Sequence, residues 1–184
     1  MVLVTDFDGT LVKENSTKLL ESMIIRYLGF PENIILKVSR IPELLLLGLG
    51  KTLHYKGDFK RYLLLNFFVR RFGENHLFEI MRRVAEQLTV REMFRDKEII
   101  ILSSGLKPII KRVAEINKLN VLKIYASEVL VYGRRVSIKE ITIDDKIRIL
   151  EKLAIMYPVI EYCTDDIREA KLIKNKMIKV ITIH

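Results

Sequence analysis

An α/β fold, a parallel sheet with helices on both faces, follows from three features of the chain. Apolar runs rich in Val and Ile recur at 1–6, 98–103, 121–126, 159–164 and 178–183. Segments of helical periodicity separate them at 106–117, 144–156 and 166–175, with a small hairpin around Gly133 after the third run. Several runs stop at glycines, hydroxyls or carboxylates. Strands that are apolar throughout and alternate with helices are buried on both faces in a parallel sheet. Right-handed crossovers then give the economical order 3-2-1-4-5, a Rossmann-like sheet with the first strand central.

The first run, Met1-Val2-Leu3-Val4, leads into Asp6-Phe7-Asp8-Gly9-Thr10. Two acids spaced i, i+2 leave a buried strand together, and unpaired buried charge is costly, so the pair needs a cation or another partner. Asp-Gly is also a favoured hairpin turn. The residues that follow, Thr10 to Asn15, make a poor return strand and lead into a helix instead.

The second run, Ile99-Ile100-Ile101-Leu102, ends in Ser103-Ser104-Gly105. The amides of Ser104 and Gly105 are expected to open helix 106–117, and a helix N-terminus suits an anion. Ser-Ser-Gly also reads as an ordinary N-cap. Lys146 falls in the first turn of helix 144–156, where the helix dipole disfavours a cation. That placement suggests a use away from the helix, with Asp144 and Asp145 as alternative partners. The run ending at Thr164 delivers Asp165, Asp166 and Glu169. In the expected strand order Asp6, Ser103 and Asp165 end neighbouring strands. They lie outside the carboxyl edge where strand order reverses, the usual ligand position of open α/β sheets.

The sequence Asp6-Phe7-Asp8-Gly9-Thr10-Leu11, with the three later motifs in order, resembles the haloacid dehalogenase (HAD) superfamily, in its phosphoserine-phosphatase-like branch. The resemblance implies a phosphomonoester hydrolase with Asp6 as nucleophile and Asp8 as general acid/base. Both roles are chemically sound. A carboxylate nucleophile splits a hard displacement into two easier ones through an acyl phosphate. A second carboxyl can protonate the leaving alkoxide and then deprotonate the attacking water. The acid at Asp8 favours phosphoryl transfer over carbon–halogen cleavage. Ser103, with Ser104 as fallback, and Lys146, with Lys139 as the weaker candidate, would bind phosphate oxygens.

The family's fourth motif is Gly-Asp-x-x-x-Asp. Thr164, Asp165 and Glu169 occupy it here, so two of its positions are altered. The resemblance implies Mg2+ held by Asp6, the backbone carbonyl of Asp8 and Asp165, with Asp166 a competing ligand and Glu169 a supporting residue. Oxygen donors beside a phosphate suit that ion. The scattered His54, His76 and His184 and the single Cys163 argue against zinc. Cys163 reads as a small buried hydrophobe.

Residues 13–96 are helical in pattern. Leu19, Leu20, Met23, Ile24, Tyr27 and Leu28 form one apolar face closed by Gly29. Asp58 is placed to cap a second helix running through Arg71 to Gly73, and Leu77, Ile80, Met81, Val84 and Leu88 form a third stripe. By resemblance this is a small helical cap domain inserted into a catalytic core of 1–12 and 97–184. Its hinges fall near Val12–Asn15 and Thr89–Asp96, where closure would exclude water. Phosphoserine phosphatases carry a Glu for the substrate ammonium at what is here Asn15, and Glu14 is one residue out of register. An amine-bearing substrate is therefore not expected, and the substrate class is a small phosphorylated metabolite.

A length of 184 residues accommodates one core and one insert. The single Cys fits a reducing compartment. With no signal peptide ahead of the first strand, a cytoplasmic location is expected. The apolar run Ile41–Leu49 is far shorter than the ~20 residues that span a bilayer and reads as a cap helix, an exposed face of which would mark a dimer or membrane-surface contact. Net charge is +9, and the pairs Lys60-Arg61, Arg70-Arg71 and Arg82-Arg83 lie in the cap region. Such pairs form solvated faces, steer small anions, or bind nucleic acid through phosphates. No nucleic-acid motif accompanies them. Two alternatives to a phosphatase remain: a HAD-like module with a decayed site, and a basic-surface nucleic-acid binder.

Overall fold

A computed structural model describes residues 2–29, 59–158 and 160–183. In chain order the described elements are β1 (Val2–Thr5), α1 (Ser16–Tyr27), α2 (Phe59–Phe72), α3 (Glu74–Gln87), a single 3-10 turn (Glu92–Phe94), β2 (Ile99–Leu106), α4 (Lys107–Ile116), β3 (Val121–Tyr132), β4 (Arg135–Lys139), α5 (Ile143–Met156), β5 (Ile160–Thr164), α6 (Ile167–Leu172) and β6 (Ile178–Thr182). The strands form one sheet of six in the order β4-β3-β2-β1-β5-β6. Its parallel part, β3-β2-β1-β5-β6, is the expected 3-2-1-4-5 order. The expected hairpin adds β4 as an antiparallel edge strand against β3.

Period-2 alternation divides the central strands between two hydrophobic layers. Leu3, Ile99 and Ile101 point into one layer, with α1, α2, α3 and α4 packed over them. Val2, Val4, Ile100 and Leu102 point into the other, covered by Leu150, Leu153 and Ala154 of α5. Both faces of the sheet are thus covered by helices, and the three described helices of the 13–96 segment share one apolar cluster with the sheet.

Local chemistry sets the helix ends. The Asn15 side chain accepts from the Lys18 amide and caps α1, and Gly29 beyond its end takes a positive φ. Thr142 and Asp145 form a reciprocal capping box on α5. Leu77, Ile80, Met81 and Val84 of α3 are all buried, the expected stripe. Helix α6 stops at Leu172, short of the expected 175. Strand β2 runs on to Leu106 through an irregular register, so α4 starts one residue later than expected. The expected cap at Asp58 and the apolar run Ile41–Leu49 lie outside the described residues. No helix among the described residues is long and apolar enough to cross a membrane.

Helix α2 is fastened to the sheet edge by side chains. The Asn66 amide treats β4 as a neighbouring strand would: its Nδ2 donates to the Val136 carbonyl at 3.0 Å and its Oδ1 accepts from the Val136 amide at 2.8 Å. Arg61, also buried, pairs with Glu140 at 2.7 Å just beyond β4. An open strand edge invites pairing with other chains, and Asn66 occupies both main-chain groups of Val136 on this one. Asn66→Leu is expected to lower the unfolding free energy by about 2 kcal/mol, the cost of orphaning a buried amide and carbonyl, read by urea denaturation. A change within error would mean that water or a repacked neighbour serves Val136 equally well.

Candidate active site

Asp6 follows β1 directly, and its amide donates to the Cys163 carbonyl at 2.8 Å, so strand pairing with β5 continues to the acid itself. The chain then turns sharply, with Leu11 N donating to Asp6 O and Thr10 N and Val12 N both donating to Phe7 O. Gly9 makes the turn at φ +72°, a region costly for residues with a Cβ. No return strand forms. Val12 bridges Val90 instead, and that pairing settles the Asp-Gly ambiguity. Phe7 and Leu11 are fully buried and anchor the turn from inside.

Lys146 is brought to Asp6 by the periodicity of α5. Lys146, Leu150 and Leu153, at i, i+4 and i+7, share the buried face of that helix. The ammonium lies 2.6 Å from Asp6 Oδ2 and 3.1 Å from Glu169 Oε2, and Lys146 is only 3 % exposed. Burial alone would lower its pKa, but the charges of Asp6 and Glu169 outweigh that and hold it above the ordinary lysine value. Asp6 Oδ1 accepts from the Phe7 amide at 2.7 Å. Of the alternative partners, Asp145 is used in the capping box, with Arg148 nearby. Lys139, on β4, is paired across the hairpin with Glu128.

Asp8 and Ser103 converge beside this cluster. Asp8 Oδ1 accepts from the Ser16 amide at 2.7 Å and Oδ2 from the Ser16 hydroxyl at 3.1 Å. Burial raises the Asp8 pKa; the two Ser16 hydrogen bonds oppose the rise, and the charges of Asp6 and Asp165 add to it. Ser103 Oγ accepts from the Gly105 amide at 3.0 Å. That amide was expected to open α4, but it is committed to the serine. A Cβ at Gly105 would stand 3.2 Å from Ser103 Oγ and 3.5 Å from Asp8 Oδ2, so the missing side chain leaves the space between them clear. Ser104 is exposed, and its carbonyl accepts from the Ser127 hydroxyl.

The fourth motif divides its carboxylates. Asp165 is exposed and lies against Gly9, where any Cβ would collide with its carboxylate. Its Oδ1 accepts from the Thr10 hydroxyl at 3.0 Å. Asp166 turns the other way and caps α6, accepting from the Arg168 and Glu169 amides at 2.8 and 3.4 Å. Glu169 is buried, and besides Lys146 it accepts from the Tyr162 hydroxyl at 3.0 Å and the Thr164 hydroxyl at 3.2 Å. Asp6, Asp8, Ser103, Lys146 and Asp165 therefore gather at the carboxyl ends of β1, β2 and β5, with Glu169 behind them.

Among the described residues no three side chains of Asp, Glu, His or Cys converge as a metal-binding group. A cation here would take side-chain oxygens from Asp6 and Asp165 and complete its shell with main-chain oxygen and water, a set that fits a hard divalent ion. His76 packs near Tyr27 and Phe72, Cys163 is buried, and His54 and His184 lie outside the described residues.

Sequence reasoning missed Ser16, Tyr162 and Arg91. The Arg91 guanidinium donates to the Gly9 carbonyl at 3.1 Å, while its amide donates to Leu11 O. Glu14, next to the capping Asn15, accepts from the Thr89 amide at 2.9 Å. Residues 11–14 and 89–91 thus lie side by side against the Asp6–Asp8 turn. Tyr162 and Thr164 had a visible signal, since they alternate onto one face of β5. Ser16 had none beyond its place after Asn15.

Replacing Lys146 by Met should destabilise the fold by about 3–5 kcal/mol, because two buried carboxylates lose their cation. In the wild type the raised lysine pKa makes this contribution complete below the ordinary lysine value, and it is lost as pH rises through the folded value. The melting temperature should therefore fall in strongly alkaline buffer, and Lys146→Met should flatten that fall. An equal alkaline slope in both proteins would assign the loss to other groups.

No family model matches the chain, and no curated protein does. Solved structures do match. A HAD family hydrolase from Salmonella enterica serovar Typhi aligns with a TM-score of 0.54 at 17 % identity, over 89 % of this chain and 56 % of its own. The chain thus spans little more than half the length of that hydrolase. A phosphoserine phosphatase solved as a phospho-aspartyl intermediate analogue aligns at 0.55 and 19 % identity, over 98 % of this chain and 85 % of that one. Cytosolic 5'-nucleotidase IIIB bound to cytidine aligns at 0.52 and 16 %, over 99 % and 71 %. With its strand order and the helical segment between β1 and β2, the chain has the fold of the HAD hydrolases, in the form seen in phosphoserine phosphatases.

Proposed function

We propose that this protein is a magnesium-dependent phosphomonoester hydrolase that works through an aspartyl-phosphate on Asp6. One observation carries the proposal: the Lys146 ammonium sits 2.6 Å from Asp6, 140 positions away in sequence, at the carboxyl end of the central parallel strand. Asp8 and Ser103 open onto the same space. Asp6 would attack phosphorus as the ester P–O bond breaks, and Asp8 would give its proton to the departing alkoxide. Asp8 would then take a proton from the water that cleaves the acyl phosphate. Ser103, whose oxygen already accepts from Gly105, keeps its hydroxyl proton to donate to a phosphoryl oxygen, and Lys146 supplies the positive charge beside it. Asp6, the Asp8 carbonyl and Asp165 would hold magnesium, which when bound neutralises charge on the transferring group.

In this proposal residues 13–96 form the substrate-selecting cap over a core of 1–12 and 97–184. The substrate is a small phosphorylated metabolite without a required amine. Asn15 is spent on capping α1 and Glu14 on the Thr89 amide, so neither side chain stands ready for an ammonium. Of the basic pairs, Arg82 and Arg83 are matched by Glu79 and Glu86 on their own helix, which supports a solvated face there over nucleic-acid binding.

A panel of phosphomonoesters tests this directly. Phosphate release is expected with magnesium, to vanish with EDTA, and to be abolished in Asp6→Asn. Asp8→Asn should slow turnover by about 10²–10⁴-fold, with phosphoenzyme accumulating when the leaving group is good. A folded protein that releases phosphate from no ester, or releases it equally well as Asp6→Asn, would sink the proposal.

A further inference from the structure

Glu169 receives more hydrogen bonds than its pairing with Lys146 requires, and both additional donors come from one strand. Tyr162 and Thr164 stand two residues apart on β5, so the strand's period-2 repeat turns them to one face, beneath α5. The Tyr162 hydroxyl takes Oε1 at 3.0 Å, while Oε2 is shared between Lys146 at 3.1 Å and the Thr164 hydroxyl at 3.2 Å. Tyr162 and Thr164 are fully buried and Glu169 is 1 % exposed, so these bonds are shielded from bulk solvent. Buried polar groups in such a network fix one another's geometry. A glutamate has an additional rotatable bond compared with an aspartate, and here its carboxylate is gripped from two sides.

We infer that Tyr162 and Thr164 are positioning residues, which set the placement of the Lys146 ammonium against Asp6 by locking the Glu169 carboxylate. The chain of contacts runs Tyr162–Glu169–Lys146–Asp6, with Thr164 bracing its middle. The altered fourth motif is then a matched pair: Thr164 supplies a hydroxyl that a glycine could not, and Glu169 supplies the reach to meet it. Neither Tyr162 nor Thr164 contacts Asp6 in the described hydrogen bonds, and the path from Tyr162 to Asp6 runs through Glu169 and Lys146. The Thr164 hydroxyl also accepts from the Asp166 amide at 3.1 Å.

The inference rests on the proposed hydrolase activity for its kinetic arm and on structure for its other arm. Tyr162→Phe and Thr164→Val should each lower kcat about tenfold, the scale of one hydrogen bond to a charged group, with KM within about twofold. Thr164→Ser, which keeps the hydroxyl, should recover most of the loss. In a Glu169→Gln background, Tyr162→Phe should cost little more, since the residue it acts through is already changed. A merely structural tyrosine would cost the same in both backgrounds, and that result would overturn the inference. Unchanged kcat in both single variants would overturn it as well. If the wild type hydrolyses no ester, the proposed function fails separately, and a crystal structure of Tyr162→Phe decides the positioning role. Displacement of the Lys146 ammonium from Asp6 supports it, and an unmoved contact overturns it.

Discussion

Burying a lysine against two carboxylates is the constraint on which the molecule's organisation depends. Lys146 is nearly without solvent, and so is Glu169. A charge in such a place is tolerated only when it is paired and its remaining bonding capacity is satisfied. Two strand ends and two helices must therefore meet within hydrogen-bond distances. β1 brings Asp6, β5 brings Tyr162 and Thr164, α6 brings Glu169 and α5 brings Lys146. The two hydrophobic layers on either side of the sheet hold these elements in register. The charge count also bears on chemistry. One ammonium faces two carboxylates, and an arriving phosphate would add further negative charge, which supports a role for a divalent cation.

The same economy appears at the sheet margin. Asn66 meets Val136 as a strand would, and Arg61 meets Glu140 one turn away on the same helix. These polar contacts give α2 a definite seat on β4, where apolar packing alone would allow it to slide. Helix α3, by contrast, is seated by its stripe of Leu77, Ile80, Met81 and Val84 and by contact with α4.

The legible parts of the sequence were those whose signal is local. Apolar runs, the Asp6–Asp8 spacing, the α3 stripe and the misplaced cation at Lys146 all lie within a few consecutive residues. The parallel order followed from chirality rules applied to those runs. Boundaries were less legible: β2 continues past Ser103, and the Gly105 amide bonds back to the serine instead of standing free at the N-terminus of α4. Arg91, which escaped notice, and Asn66 have partners far away along the chain. Asn66 and Val136 are 70 positions apart, and the Arg91–Gly9 contact spans 82. A side chain whose purpose is to satisfy a remote backbone group has no periodicity to betray it.

The Ser16 contact with Asp8 makes the acid a gauge of helix position. Both hydrogen bonds to Asp8 come from the first residue of α1, one from its amide and one from its hydroxyl. Hydrogen bonds weaken steeply with stretch and misalignment. A shift of α1 by a fraction of its own pitch would therefore release both carboxylate oxygens together, since neither has another donor among the described hydrogen bonds. Arg91 extends that sensitivity, because it grips the Gly9 carbonyl from the far side of the same turn. Mechanically, the loop carrying the two aspartates is suspended between both ends of the 13–96 segment. A displacement that moves Ser16 or Arg91 would therefore be felt at that loop.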